Sequence, residues 1–139
     1  MSLFMYDMDE LRSQVQEAFG DTKHYLVVVK HNNWQSDIIK LFINSLYYAT
    51  DSSRQFIVYF SPKGIYEKEL GTPLKSDFVL MPWHEIEELT LKPWWAHKVI
   101  RFLHLGKNMG YEVNFWGRVN KDNKANLANL VANNWRRNL

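Results

Sequence analysis

QFIVYFSPKGIYEKEL, residues 55–70, is the stretch on which the fold turns. Its first six residues form a run rich in β-branched and aromatic side chains. Its last six, IYEKEL, answer as a second arm. Between them, Ser61-Pro62-Lys63-Gly64 has turn chemistry, because proline presets one turn dihedral and glycine tolerates positive φ. The reading is strand, turn, strand.

Working outward, the same grammar repeats. Downstream, GTPLKSD is a loop punctuated by Gly71 and Pro73, and FVLM is a short strand. Pro82 has no N–H to give a ladder, so Met81 or Trp83 lies at a strand end or edge. EIEELTL (85–91) is a strand with alternating charges, and KPWWA (92–96) is a turn. HKVIRFLHL (97–105) is the longest alternating strand, GKNMG (106–110) a tight connection, and YEVNFW (111–116) the last strand. Upstream, the β-branched run in HYLVVVKH, residues 24–31, supplies the first strand.

Helical spacing marks the flanks. In DMDELRSQVQEAFGD, the residues Met8, Leu11, Val15, Ala18 and Phe19 share one face, Asp7 or Asp9 can cap, and Gly20 can end the helix, predicting 8–20. Ile38, Ile39, Phe42, Leu46 and Ala49 predict a helix over 37–49 behind Ser36, with a strand over 41–48 as the rival. Leu127, Leu130, Val131 and Trp135 give an apolar stripe to a closing helix over 121–137, capped by Asn120 or Asp122. The tally is mainly β: seven strands joined by short turns, one helix at each terminus, and one between the first two strands. Such antiparallel strands must close or be covered, because open edges invite aggregation. A strongly bent seven-stranded sheet with the closing helix plugging one end satisfies that demand. A second copy completing an exposed edge would make a homodimer.

The chain has 139 residues, 46% hydrophobic and 15% aromatic, enough for one domain with a packed core. No cysteine is present, which removes disulfides and thiolate metal sites and suits a reducing, cytoplasmic setting. No apolar run approaches the roughly 20 residues of a membrane span. Charge is uneven. Residues 1–91 hold 8 Lys and Arg against 13 Asp and Glu, a net of −5, whereas residues 92–139 hold 9 against 2, a net of +7. A basic C-terminal third fits an acidic protein, nucleic acid or an anionic lipid surface.

FVLMPWHEIEEL, with its W-x-E-I-x-x-L after a Pro-containing turn, and NLANLVANNW at the close resemble bacterial pleckstrin-homology-like and GRAM-type domains. The resemblance implies a seven-stranded antiparallel, partly open PH-like barrel capped by a C-terminal helix, α+β but mainly β. The helices at 8–20 and 37–49 would be additions to that plan. It also implies a binding platform for proteins, peptides or lipid headgroups rather than an enzyme. In the eukaryotic members, lipid binding uses a basic motif spanning the first two strands. The corresponding Lys30, His31 and Arg54 are split by a long insertion, which argues against phosphoinositide binding.

No cofactor or metal motif is evident. HEIEE lacks the second histidine of HExxH, and no G-x-S-x-G or phosphate loop occurs. Carboxylate pairs at Glu67/Glu69 and Glu85/Glu87 are spaced to share a strand face, so a small hydrolase using Glu67, Glu69 or His84 is the remote alternative. Lys92, Trp94, Trp95, Lys98 and Arg101 interleave aromatic and basic residues, with Lys107 extending the patch. Interleaving of that kind stacks bases and neutralises phosphates, and an exposed Trp would equally anchor a peptide. The expectation is a non-enzymatic interaction module that binds a protein or peptide partner. Nucleic-acid or anionic-lipid binding is the alternative.

Overall fold

A computed structural model describes residues 8–32, 55–70, 77–94 and 97–137. The expected helix over 37–49 lies outside them. Helix α1 (Met8–Phe19) precedes strands β1 (Tyr25–Asn32), β2 (Gln55–Ser61), β3 (Gly64–Glu69), β4 (Val79–Pro82), β5 (Ile86–Trp94), β6 (His97–His104) and β7 (Lys107–Val113), and helix α2 (Asn123–Ala132) follows. The strands form one antiparallel sheet in the order β4-β3-β2-β1-β7-β6-β5, open between β4 and β5.

Alternation assigns the two faces. On the inner face, Leu26, Val28, Phe60, Ile65, Ile100, Phe102 and Tyr111 join one core with Leu127, Leu130 and Trp135 of the C-terminal segment. One cluster drawn from both halves of the sheet means that the sheet curls around it, as a partly open barrel does. On the outer face of β1 and β2, Tyr25, Val27, Ile57 and Tyr59 pack under Leu11 and Val15 of α1. Phe19 stacks on Tyr59 with ring centroids 3.8 Å apart.

Three boundaries differ from the sequence reading. The β6–β7 connection is only Leu105-Gly106, both at positive φ (51° and 83°), the geometry that matches strand twist in a two-residue hairpin. Lys107 and Asn108 therefore already pair with His104 and Leu103, and the strand ends at Val113. Strand β5 runs on to Trp94 with Pro93 opposite Lys98, so Lys92–Trp94 belong to an edge strand rather than a turn. At its start, Trp83–Glu85 is a 3-10 turn, and the register shifts between Glu87 and Thr90 around Glu88 (φ 56°). Glu85 and Glu87 thus do not share a strand face.

The third difference is at the C-terminus, where α2 stops at Ala132 instead of reaching 137. Asn134, Trp135 and Arg136 follow at φ 51°, 59° and 63°, a left-handed turn without glycine. That conformation costs about 1–2 kcal/mol per residue, or about 3–6 in all. It drives Trp135 into the core, 5.4 Å from the Phe60 ring. Burying the roughly 150–250 Å² of an indole returns about 4–6 kcal/mol, the same size as the strain. Arg136 adds hydrogen bonds to the Tyr59 hydroxyl and the Phe60 carbonyl, both at 3.0 Å. Val131, expected on the apolar stripe, is 47% exposed.

The asparagines of α2 have a specific task. Beyond Val28 the β7-facing edge of β1 has no strand partner among the described residues, because β7 ends at Val113. Asn123 Oδ1 accepts the Val27 N–H at 2.9 Å, and its Nδ2 donates to the Val27 carbonyl at 2.8 Å. Asn126 donates to the Tyr25 and Thr22 carbonyls at 2.9 and 3.1 Å, and Asn129 to the Lys23 carbonyl at 3.2 Å. Side-chain amides at i, i+3 and i+6 so replace the missing strand. Three helical residues rise about 4.5 Å, whereas two strand residues rise about 6.6 Å. The bonds lengthen from Asn123 to Asn129 as that mismatch accumulates. Asp122, beside them, makes no cap bond. It accepts Arg12 Nε at 2.7 Å and the Tyr25 hydroxyl at 2.8 Å, tying α1, β1 and α2 together.

A candidate basic groove on the outer face of β5 and β6

Register decides which residues of the basic third meet. Along β6, His97, Val99, Arg101 and Leu103 lie on the face opposite the core residues Ile100 and Phe102, and Val99 among them is covered, at 1% exposure. On β5, Thr90 lies across from Arg101 and Lys92 across from Val99. Lys92 and Arg101 are therefore diagonal neighbours, at roughly 7–8 Å. They line a groove of about 200 Å³ with Thr90, Asn108, Leu103 and Glu88. On β7, Gly110 opposes Arg101 and leaves the guanidinium room.

The other expected residues part from this pair. Lys98 opposes Val113 and Pro93 and shares the inward parity of Ile100. Lys107 sits at the far hairpin, opposite His104. Trp94 pairs with His97 at the end of β5, and Trp95 lies outside the described residues. The structure brings together Lys92 and Arg101 and separates them from Lys98 and Lys107.

Sequence reading missed Trp116. Placed at the end of a strand, it stands instead in the loop after β7 and is 63% exposed. The loop is braced: Asn120 Nδ2 donates to the Trp116 carbonyl at 2.7 Å, and Gly117 takes φ 89°. The indole meets the His97 ring edge-on, with centroids 6.0 Å apart. His97 heads the outward row of β6, but Val99, next in that row, is buried, and neither Trp116 nor His97 lines the groove. The signal available in the sequence was the Trp-Gly-Arg at 116–118, a large aromatic followed by a turn former.

Charge is unsatisfied here. Among the described residues, Lys92, Lys98, Arg101, Lys107, Arg118 and Lys121 form no ion pair, whereas Lys30 reaches Glu67 at 2.7 Å and Arg12 reaches Asp122. Glu112, across β7 from Val99, is largely buried and lies 3.2 Å from His31. Two unpaired cations in one groove raise the local potential for an anion.

Of the carboxylates considered for catalysis, Glu67 and Glu69 lie two apart on β3 and share its face, whereas Glu85 and Glu87 do not share one. Glu67 is bound by Lys30 and by the Tyr111 hydroxyl inside the barrel. Burial, then the charge and hydrogen bond of Glu67, push the Tyr111 phenol well above its ordinary pKa. His84 is 81% exposed on the 83–85 turn, at the Gly64 end of β3, roughly 10 Å along the strand from Glu67. Among the described residues no three His, Asp or Glu side chains are placed to hold a metal ion, and no helix is long and apolar enough to cross a membrane. Comparison of the chain with known protein families, with curated proteins and with solved structures finds no match.

Proposed function

We propose that this protein is an intracellular, non-enzymatic interaction module of PH-like fold that binds a protein partner through a peptide segment. The observation that carries this reading is Trp116, a 63%-exposed indole in a braced loop. A rigid aromatic of this kind contributes large contact area at small entropic cost, and such residues dominate binding energies at interfaces.

The test is selection from a random-peptide display library on the purified protein, followed by titration of synthetic versions of the enriched peptides. Replacing Trp116 by Ala is expected to weaken them by about 2 kcal/mol, roughly 30-fold. Failure to enrich any peptide, or peptides that bind W116A as well as the parent, would overturn the reading.

A further inference from the structure

We infer that the groove between β5 and β6 is a phosphoryl site: it takes a phosphorylated serine or threonine of a protein partner, held between Lys92 and Arg101. The site stands apart from Trp116 and goes beyond the reading built on that residue.

Arg101 gives the first observation. Among the described residues five basic side chains are half-buried, Lys30, Lys68, Arg101, Arg136 and Arg137. Lys30 reaches Glu67, Lys68 reaches Gln14 at 2.9 Å, Arg136 the Tyr59 hydroxyl, and Arg137 the Asn134 amide oxygen at 3.3 Å. Arg101 makes no such bond. A partly desolvated guanidinium carries five donors and no acceptor, so it is stabilised by whatever brings oxygens to it. Gly110, opposite on β7, leaves them room.

The second observation is what surrounds that guanidinium. Lys92 is its diagonal neighbour, at roughly 7–8 Å, so two long side chains reach one group between them. Thr90 and Asn108 line the same groove with a hydroxyl and an amide, and neither side chain has a hydrogen-bond partner among the described residues. Four donor-bearing side chains from three strands thus frame one space.

Charge and size select the occupant. A phosphate monoester carries about −1.5 to −2 at pH 7 and presents three acceptor oxygens, enough to engage both cations and the neighbouring donors. A carboxylate presents two oxygens and a single charge. The groove, at about 200 Å³, falls below the roughly 300–1,000 Å³ of a site that encloses a whole small molecule, and suits a phosphoryl on a short side chain. Glu88 lines its other end, and Glu87 stands exposed beside it. Those carboxylates repel an extended anionic surface, whether bilayer or nucleic acid, whose affinity grows with the number of cations engaged. The one aromatic residue of the lining, Phe102, is buried in the core, so no ring is offered for base stacking. A single phosphoryl meets Lys92 and Arg101 and leaves both glutamates outside.

The first probe is N-acetyl-O-phosphoserine N-methylamide, titrated into isotope-labelled protein. Saturable amide shifts on Thr90, Lys92, Arg101 and Asn108 are expected, and none with the unphosphorylated compound. The second is a pool of capped seven-residue peptides with central phosphoserine and randomised flanks, passed over immobilised protein. Its retention is expected to exceed that of the phosphatase-treated pool at least tenfold, and a pool with Glu in place of phosphoserine is expected to behave as the treated one. K92A and R101A are each expected to cut retention about tenfold, the scale of one charge-assisted hydrogen bond, with circular dichroism checking that they fold. E88Q is expected to raise it severalfold, a gain that general destabilisation cannot mimic, and W116A to leave it unchanged. Equal retention of the phosphorylated and treated pools, shifts gathered away from the groove, or full retention by R101A would overturn the inference. Tighter, Lys92- and Arg101-dependent binding of a single-stranded oligonucleotide or of phosphatidylserine vesicles would overturn it in favour of nucleic acid or lipid.

Discussion

Replacing Asn123 by Ala tests whether side-chain amides do the work of a strand. Asn123 is 1% exposed and makes three bonds shorter than 3.0 Å, to the Val27 N–H, the Val27 carbonyl and the Asn114 carbonyl. Truncation leaves those three backbone groups unpaired, each at about 1–3 kcal/mol. Even the low end gives about 3 kcal/mol, a substantial share of the roughly 5–15 kcal/mol that stabilises a domain. At about 2 cal/mol/K of unfolding entropy per residue, that lowers the Tm by roughly 10 °C. Leu at 123 keeps the volume but not the amide and is expected to cost as much. Asp keeps the acceptor for the Val27 N–H yet sets a carboxylate against two carbonyls, so it is not expected to rescue. Asn133 is the internal control. Its amide bonds only to Asn129 in its own helix, in the open, and N133A is expected to cost under about 0.5 kcal/mol. Urea denaturation of the four variants is the assay. An Asn123→Ala cost below about 1 kcal/mol would refute the comb, because the β1 edge would then be satisfied some other way.

Gly64→Ala is expected to destabilise by more than about 2 kcal/mol in the same assay, since Gly64 sits at φ 152° and a Cβ there would lie 2.1 Å from the Met81 carbonyl oxygen. Acid should unfold the protein through Asp122 and Asp21. Burial alone would raise both carboxyls, but Arg12, Tyr25 and Lys121 around Asp122, and His24, the Lys23 N–H and Tyr59 around Asp21, together hold both below the ordinary carboxylate range. A depressed folded pKa gives stability that is full above the unfolded value and lost as pH falls through the folded one, so the Tm should decline below about pH 5. D122N is expected to be less stable at pH 7 and to show a shallower acid decline, and an unchanged slope would remove Asp122 from the account.

Seven strands were legible because a period of two, broken by Gly and Pro, is a local signal. Their ends were not, because an end depends on whether a partner edge is free. Strand β7 stops at Val113 where Asn123 takes over Val27, a contact 96 residues apart in the chain. The Asn face of α2 looked merely polar for the same reason: its partners lie on β1. Trp135 was read correctly as core, but along a helix that the chain abandons for a left-handed turn. At the groove, the residue types Lys92 and Arg101 were legible, while their company was not. Adjacency in KPWWAHK suggested one patch, but the β5–β6 register sends Lys98 to the other face and draws in Thr90 and Asn108. Trp116 escaped notice because a strand reading gave it no reason to be exposed.

The most direct test of Trp116 as the peptide's anchor is amide chemical-shift mapping of a display-selected peptide onto the isotope-labelled protein. Shifts gathered on His97 and the loop around Trp116 are the predicted result. Shifts confined to α1 and β4, with those residues unmoved, would contradict it.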